Sequence, residues 1–335
     1  MEKNGNFIFI FKKIRRKILL LIISVGKAFM LYVLLLYALF ASVFTIAKTG
    51  LMYVQPLFLV GTRMLWAGIL LLGYQFLIKR QTLSFDRKIW WRLLLLAFFN
   101  IYLTNVFEFW GLRYLTSFKT CFIYSLSPFF SALFSYFLFS EKLTSKKWMG
   151  LIFGFLGFMP ILLSQTSSEE QTGQFLFFSW AELAVMMAAI CSVYGWILLK
   201  QLVNEHQLSP LMANGVSMLI GGGLALSHSF AVEDWQPFPV TNYAIFLECT
   251  LLLILISNLI CYNLYGSLLK RYSATFMSFA GFTTPLFTAI FGWFILGEIV
   301  TWPFYLSFIL VFLGLLLFDQ EELKQSFLSI SQFRE

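Results

Sequence analysis

Long apolar runs, separated by short polar stretches, dominate this sequence. Hydrophobic residues make up 59% of the 335 residues and charged residues only 12%. A soluble domain usually has about 45–50% apolar and about 25% charged residues. Since a membrane-spanning helix needs about 20 mostly apolar residues, and many such runs are present, the sequence predicts a polytopic membrane protein without a sizeable soluble domain.

Ten membrane-spanning helices are predicted, and Pro56 and Pro210 open two of them, where a missing N–H costs nothing. The predicted spans are residues 28–47, 56–78, 90–112, 119–140, 146–164, 178–199, 209–229, 242–268, 274–297 and 302–318. The predicted units are a basic lead-in (1–27), a first five-helix unit (28–164), a polar linker (165–177), a second five-helix unit (178–318) and a tail (319–335).

The basic residues are distributed unevenly between the two predicted sides of the membrane. All but four of the 24 lie in the N-terminal segment, in alternate loops and in the tail; the exceptions are Lys48, Arg63, Arg113 and Lys119. Cytoplasmic loops are enriched in lysine and arginine. We therefore expect a multi-pass protein of the bacterial inner membrane with both termini in the cytoplasm. The net charge of +8 is explained by these loops, so no nucleic-acid partner is predicted.

A segment near the middle of the chain is repeated near its end. SPFFSALFSYFLFSEKLT (127–144) matches PLFTAIFGWFILGEIVT (285–301) after a shift of 157 residues, which places Glu141 on Glu298. Because each half has five spans, an odd number, the second copy is inverted relative to the first. The predicted fold is an all-α integral membrane protein with ten helices, built as two inverted five-helix repeats around a central cavity.

The repeated segment, together with the proline-opened second span that carries Arg63 (PLFLVGTRMLWAGILL, 56–71), resembles the drug/metabolite transporter superfamily. Within it, the chain is most similar to the EamA-type ten-helix transporters, over about residues 28–318. The resemblance implies transport of a small metabolite through a central cavity lined mainly by spans three, four, eight and nine.

Three features depart from the family pattern. The first span (YALFASVFTIAK, 37–48) lacks the usual tryptophan–glycine pair, Ser217 stands where the first half has Arg63, and Lys119 opens span four in place of a small residue. The high phenylalanine content, the basic N-terminal extension and Lys119 resemble the S-adenosylmethionine/S-adenosylhomocysteine transporters of obligate intracellular bacteria. That similarity implies uptake of the first compound in exchange for the second.

Ionisable groups within the bilayer are rare and usually face a cavity or a partner. Glu108 lies three residues after Asn105, and Tyr102 lies a turn earlier, so the three share a helical face. We predict that this face binds substrate, with Glu108 binding a cationic group or carrying a coupling proton. The alternative is that Glu108 pairs with Arg113 near the interface.

Two basic residues and a tyrosine complete the candidates in the first half. Lys119 is predicted to bind a carboxylate or phosphate at the outer mouth of the cavity, or to snorkel to lipid headgroups. Tyr124, in the same span, is a further predicted substrate contact. Arg63 is predicted to be structural, capping carbonyl groups or pairing with Glu108 or another internal acid, because buried charges are usually paired.

The second half supplies amide, phenol and aromatic groups. Asn258, Tyr262 and Tyr265 follow the i, i+4, i+7 spacing of one helical face. Further predicted binding residues are Asn263, on a neighbouring face, and Ser278, Phe279 and Phe282 in span nine. The alternative for these groups is hydrogen bonding and packing between helices.

Glu141 and Glu298 each end a span, three residues before a threonine. We predict a structural or gating role for both, with the carboxylate near the first turn of the next helix, where the helix dipole favours it. The glycine run at 221–223 is interpreted as close helix packing, because the residues that a phosphate-binding loop requires do not follow it.

Neither catalysis nor a cofactor is predicted. The four cysteines form no CxxC pair, only two histidines are present, and the sequence contains no GxSxG or HExxH motif. No metal site is therefore expected. The expected partners are a small-molecule substrate and the lipid bilayer, for a monomer or a loose homodimer.

The leading hypothesis is secondary transport by alternating access, driven by an ion gradient or by exchange. A site with an acid, a base, amides and aromatic rings suits an amphoteric metabolite that contains a ring, and S-adenosylmethionine fits this description. Nucleotide sugars, nucleosides and amino acids remain alternative substrates, and a non-transporting membrane scaffold remains an alternative function.

Overall fold

A computed structural model describes residues 31–80, 86–139, 144–164, 167–236, 238–270, 277 and 280–332. Its helices are α1 (Leu31–Leu51), α2 (Pro56–Ile78), α3 (Arg87–Tyr114), α4 (Ser117–Tyr124), α5 (Ser127–Phe139), α6 (Ser145–Gly157), α7 (Met159–Leu162), α8 (Ser167–Glu170), α9 (Trp180–Asn204), α10 (Pro210–Val232), α11 (Tyr243–Leu268), α12 (Gly281–Leu296) and α13 (Trp302–Gln332). Two short strands, β1 (Gln174–Phe175) and β2 (Phe178–Ser179), pair antiparallel.

Within the described residues, six helices are long and apolar enough to cross a membrane, namely α1, α2, α3, α9, α10 and α11. The helix α12 and the Trp302–Leu317 part of α13 are shorter apolar helices. This confirms the prediction of a helical membrane protein. Pro56 and Pro210 begin their helices as predicted.

Two predicted spans are interrupted at prolines. The span predicted at 119–140 consists of α4 and α5, because Pro128 has no N–H to donate to the carbonyl of Tyr124. The hydroxyl of Ser127 donates to that carbonyl instead, at 2.5 Å. The span predicted at 146–164 divides into α6 and α7 next to Pro160 in the same way.

π-helical segments end α2 (Tyr74–Ile78) and α12 (Gly292–Leu296). Two others lie inside long helices, Ala97–Leu103 in α3 and Ile254–Cys261 in α11. The side-chain amides of Asn105 and Asn263, which follow these segments, donate to the carbonyl groups four and five residues earlier. These hydrogen bonds measure 2.8 and 3.3 Å in α3 and 2.9 and 3.1 Å in α11. Because a π segment widens the backbone repeat to i→i+5, it changes which side chains share a helical face.

Helices α2 and α10 pack together through glycines at reciprocal positions. A Cβ atom on Gly68 would lie 2.7 Å from the backbone nitrogen of Leu219, and one on Gly222 would lie 2.7 Å from the nitrogen of Leu65. A shift of 154 residues converts one contact into the other. Small residues allow this close approach of backbones, which confirms the packing interpretation at Gly222.

Helices α6 and α13 show the same reciprocity. A Cβ atom on Gly157 would lie 2.8 Å from the nitrogen of Val311, and one on Gly314 would lie 2.5 Å from the nitrogen of Gly154. Here the shift is 157 residues, the same shift that relates the two copies of the repeated segment. In both helix pairs the glycine and the residue that it approaches therefore exchange roles under one shift.

Candidate functional site

A cavity of about 150 Å³ lies between helices from both halves of the chain. Its walls include residues of α1, α2, α3, α4, α5, α9, α11 and α12. The predicted binding residues that line it are Asn105, Glu108, Tyr124, Tyr262 and Tyr265. The structure therefore brings together groups from spans three, four and eight, as the family resemblance implies, and adds walls from α1, α2 and α9.

The acid of the cavity is Glu108, in the last part of α3. Its carboxylate accepts a hydrogen bond from the hydroxyl of Tyr124 at 3.0 Å. The alternative partner considered for it, Arg113, donates instead to the side-chain oxygen of Gln55 at 3.0 Å. In the part of the chain that the structure describes, no ion pair within 4 Å includes Glu108.

The base of the cavity is Arg63, on α2, whose side chain is only 1% exposed. Its Nη2 donates to the side-chain oxygen of Asn105, and its Cζ lies 4.4 Å from the centroid of the Phe109 ring. The amide of Asn105 also lies 3.5 Å from the hydroxyl of Tyr262. Arg63 thus has an amide and a ring as partners, and the predicted pairing with a carboxylate is not seen among the described residues.

A group of aromatic rings forms another wall of the cavity. The ring of Trp196, on α9, lies 4.2 Å from that of Tyr265 and 5.2 Å from that of Tyr262, measured between centroids. Phe40, on α1, lies 6.3 Å from Tyr265. Trp196 and Phe40 were not predicted, because nothing local distinguishes them in a chain with 41 phenylalanines and 10 tryptophans.

Asn258 does not share the cavity face of Tyr262 and Tyr265 in this structure, so substrate binding by Asn258 stays a prediction that its placement does not favour. Its amide donates to the sulfur of Met64 at 2.9 Å, away from the cavity, and Ser257 lines the cavity in its place. The reason is the π segment, since Ser257 and Tyr262 are separated by the five-residue π repeat.

The neighbouring Asn263 also faces another helix. Its side-chain oxygen accepts a hydrogen bond from the amide of Asn214 on α10 at 3.0 Å. This is the interhelical role considered as the alternative for these amides.

Two more predicted binding residues lie away from the cavity. The hydroxyl of Tyr102 is 3.0 Å from Nδ1 of His228. The ring of Phe282 is buried and stacks on that of Phe308, with centroids 4.7 Å apart. These placements favour packing roles for both. Ser278, Phe279 and Glu141 lie outside the described residues.

Lys119 occupies a buried ion cluster instead of the cavity wall. Its Nζ lies 2.5 Å from a carboxylate oxygen of Glu169 and 2.8 Å from one of Glu182, and it donates to the carbonyl of Ser164 at 3.1 Å. All three charged side chains are at most 3% exposed. Glu182 also closes the capping box of α9 with Ser179. Substrate binding by Lys119 stays a prediction that this placement does not favour.

Glu298 caps a helix, but not the helix that follows it in sequence. Its two carboxylate oxygens accept hydrogen bonds from the backbone N–H of Ser117 at 2.8 Å and from the Ser117 hydroxyl at 2.6 Å. Ser117 begins α4, so the carboxylate lies at the positive end of that helix. The predicted interaction with a helix N-terminus is present, and its partner is in the other half of the chain.

Apolar helices here enclose an internal cavity with an acid, a base and aromatic rings, an arrangement typical of membrane proteins that bind a small polar molecule. Among the described residues, no group of three or more metal-ligating side chains could hold an ion. The model of the EamA-like transporter family matches residues 27–163 and 179–318. The chain belongs to this family and is a transporter, which confirms the predicted family and the prediction that it is not an enzyme.

Individual relatives agree with this assignment. The S-adenosylmethionine/S-adenosylhomocysteine transporter of Chlamydia muridarum is 40% identical over 296 residues, which are 87% of this chain and 92% of the relative. The transporter of the same name from Chlamydia trachomatis serovar D is 39% identical over 299 residues, 87% of this chain and 89% of the relative. The uncharacterized transporter YoaV of Bacillus subtilis is 26% identical over 278 residues, 80% of this chain and 88% of the relative.

A solved crystal structure has the same fold. It superposes with a TM-score of 0.60 at 16% sequence identity and covers 86% of this chain and 93% of its own chain.

Proposed function

We propose that the chain imports S-adenosylmethionine in exchange for S-adenosylhomocysteine, by alternating access across a bacterial inner membrane with both termini in the cytoplasm. The observation that carries the proposal is the cavity, in which Glu108, Arg63 and the Trp196–Tyr265 pair face one internal space. The Chlamydia relatives, at 39–40% identity over most of their length, are named as transporters of these two compounds.

The chemistry of the substrate pair matches this lining. Both compounds carry an amino-acid head group and an adenine ring, and S-adenosylmethionine adds a sulfonium cation. A carboxylate such as Glu108 and the faces of aromatic rings both attract cations. The Trp196–Tyr265 wall offers flat rings on which adenine would stack. Features shared by both compounds would let one site carry each of them, as exchange requires.

We further propose that the helices form two inverted five-helix repeats, at residues 28–164 and 178–318, with 165–177 as linker, 1–27 as lead-in and 319–335 as tail. The ten spans are obtained when α4 with α5, and α6 with α7, each count as one. The support comes from the two family matches, the paired π segments and the reciprocal glycine contacts. Inverted repeats commonly place the substrate site between the halves.

Glu298 is proposed to act as a gating contact in this cycle. It joins the segment that follows α12 in the second half to the start of α4 in the first, at the end of the helices opposite the predicted cytoplasmic face. Rocking of one half against the other would break this contact when that end opens. Glu141, its counterpart in the repeated segment, lies outside the described residues and stays a predicted structural or gating residue.

Uptake of radiolabelled S-adenosylmethionine tests the proposal. The chain would be expressed in a bacterium that does not import the compound, with and without preloading of the cells with S-adenosylhomocysteine. We expect saturable uptake that preloading accelerates. Glu108→Gln should reduce uptake at low substrate about tenfold to hundredfold, the range for loss of an interaction of about 1.5–3 kcal/mol with a charged group.

Glu205→Gln is the matched control, because Glu205 pairs with Arg92 on the surface and is about half exposed. It should transport like the wild type. If the wild-type protein is shown to be in the membrane and no uptake is measured, S-adenosylmethionine is not the substrate. Nucleosides, nucleotide sugars and amino acids would then be screened. If uptake occurs but preloading does not accelerate it, the exchange mechanism is refuted and transport of S-adenosylmethionine still stands.

A further inference from the structure

Arg63 has more hydrogen-bond donors than the described protein satisfies. Its side chain is 1% exposed, and Asn105 accepts only from Nη2. Nε and Nη1 are buried and have no hydrogen-bond partner among the described residues. An arginine carries its charge at any physiological pH, so this cation lies inside the protein with donors on two nitrogens unused.

A buried cation of this kind is costly without an anion. Removing a charge from water is compensated only by pairing and by hydrogen bonds to its remaining donors. The ring of Phe109, 4.4 Å from Cζ, supplies a cation–π contact of modest strength. The acid of the same cavity, Glu108, bonds to Tyr124 and forms no ion pair within 4 Å of Arg63 in the described structure.

Arg63 belongs to the cavity wall together with Asn105 and Glu108. Its Nε and Nη1 are buried in this conformation, so a ligand reaches them when the wall opens, as alternating access requires. Asn105 fixes the guanidinium through Nη2, which leaves the orientation of Nε and Nη1 defined before any ligand binds. Preorganised donors in a site sheltered from water bind an anion more strongly than mobile ones. The missing partner is therefore expected to come from the transported molecule.

From this geometry we propose that Arg63 binds the α-carboxylate of the transported substrate. The sequence analysis predicts only a structural role for Arg63. The inference rests on the proposed function. It orients the substrate with its carboxylate at Arg63 and its cationic groups towards Glu108. The adenine ring then lies at the other wall, against Trp196 and Tyr265.

Competition by ligand analogues tests this assignment. Inhibition of radiolabelled S-adenosylmethionine uptake would be measured for S-adenosylhomocysteine and for its analogue in which hydrogen replaces the carboxylate. The wild type should prefer the intact compound about tenfold to hundredfold, as expected for a charge-assisted hydrogen bond. In Arg63→Gln this preference should fall to within about threefold, because the decarboxylated analogue has no bond to lose.

The ratio of the inhibitory concentrations of the two ligands distinguishes a loss of carboxylate recognition from a general loss of folded protein. If Arg63→Gln weakens both ligands equally and keeps the wild-type ratio, Arg63 is structural and the inference is overturned. Equal inhibition of the wild type by both ligands also overturns it, and this result needs no variant to fold. Arg113→Gln, at an exposed arginine outside the cavity, is the control and should keep the full ratio. Absence of any wild-type uptake would refute the proposed function instead.

Discussion

Glu298 accepts two hydrogen bonds from Ser117, one from its backbone N–H at 2.8 Å and one from its hydroxyl at 2.6 Å. The two residues are 181 positions apart and belong to different halves of the chain. Gly292 makes room for the carboxylate, because a Cβ atom there would lie 2.6 Å from its Oε2. A single acid thus caps α4 and links the halves.

Glu298→Gln should loosen this contact and expose the cavity from the side of Ser117. Loss of a charged helix cap costs about 1 kcal/mol, with a further loss where the group is partly buried. Cys121 lines the cavity and can report the change. We expect a membrane-impermeant thiol reagent, added outside, to label Cys121 roughly five- to tenfold faster in Glu298→Gln.

The same substitution in a Cys121→Ser background is the control, because it measures how much of the labelling comes from other cysteines. Gly292→Ala should have the same effect by steric displacement of the carboxylate, without removing it. Labelling that is unchanged in both Glu298→Gln and Gly292→Ala would show that the contact does not close the cavity.

Trp196→Ala should have a larger effect on substrate affinity than on the stability of the protein. Stacking of a base on an aromatic ring contributes about 1–3 kcal/mol, so the concentration for half-maximal uptake should rise about fivefold to 150-fold. Trp196→Phe should recover most of the loss. Trp302→Ala is the control, since Trp302 is 71% exposed and outside the cavity. An effect of Trp196→Ala on melting temperature alone would contradict a stacking role.

Lys119→Met should destabilise the protein severely. It leaves the carboxylates of Glu169 and Glu182 buried without their cation, and removing one partner of a buried ion pair costs about 3–5 kcal/mol. A thermal unfolding measurement on protein in detergent should show a large fall in midpoint. Lys146→Met, at an exposed lysine of α6, should leave the midpoint close to that of the wild type.

A triple variant separates stability from substrate binding at Lys119. Combining Lys119→Met with Glu169→Gln and Glu182→Gln removes all three charges, so that no uncompensated charge is left buried. Glutamine still supports the capping box at position 182. Recovery of both stability and uptake is expected. Recovery of stability without uptake would instead support the substrate-binding role predicted from the sequence.

Local patterns in the sequence predicted the helices and their starts, because hydropathy and proline act over a single turn or span. The π segments carry no such pattern, and for that reason Asn258 was assigned to the cavity in place of Ser257. The contact of Arg63 with Asn105 and the wall formed by Trp196 depend on how distant helices pack. Rare intramembrane charges identified Glu108, whereas aromatic residues are too common here to identify a wall.

The glycine run of α10 offers two neighbouring positions with opposite expected effects. A Cβ atom on Gly222 would lie 2.7 Å from the nitrogen of Leu65 and 2.9 Å from the Cβ of Met64, whereas one on Gly223 meets nothing within 4 Å. Gly222→Ala should therefore force α2 and α10 apart and lower the melting temperature, with an overpacking cost of about 1–3 kcal/mol.

Gly223→Ala should be neutral or stabilising by up to about 1 kcal/mol, since alanine favours the helix more than glycine. Because the two positions are adjacent on one helix, they lie at nearly the same depth in the membrane. The two variants should therefore be expressed and inserted alike. Thermal unfolding of the two purified variants in the same detergent measures the difference directly. Equal midpoints would show that the packing of α2 against α10 does not depend on close contact at Gly222. The reciprocal contact at Gly68 would then no longer support the proposal of two matched halves.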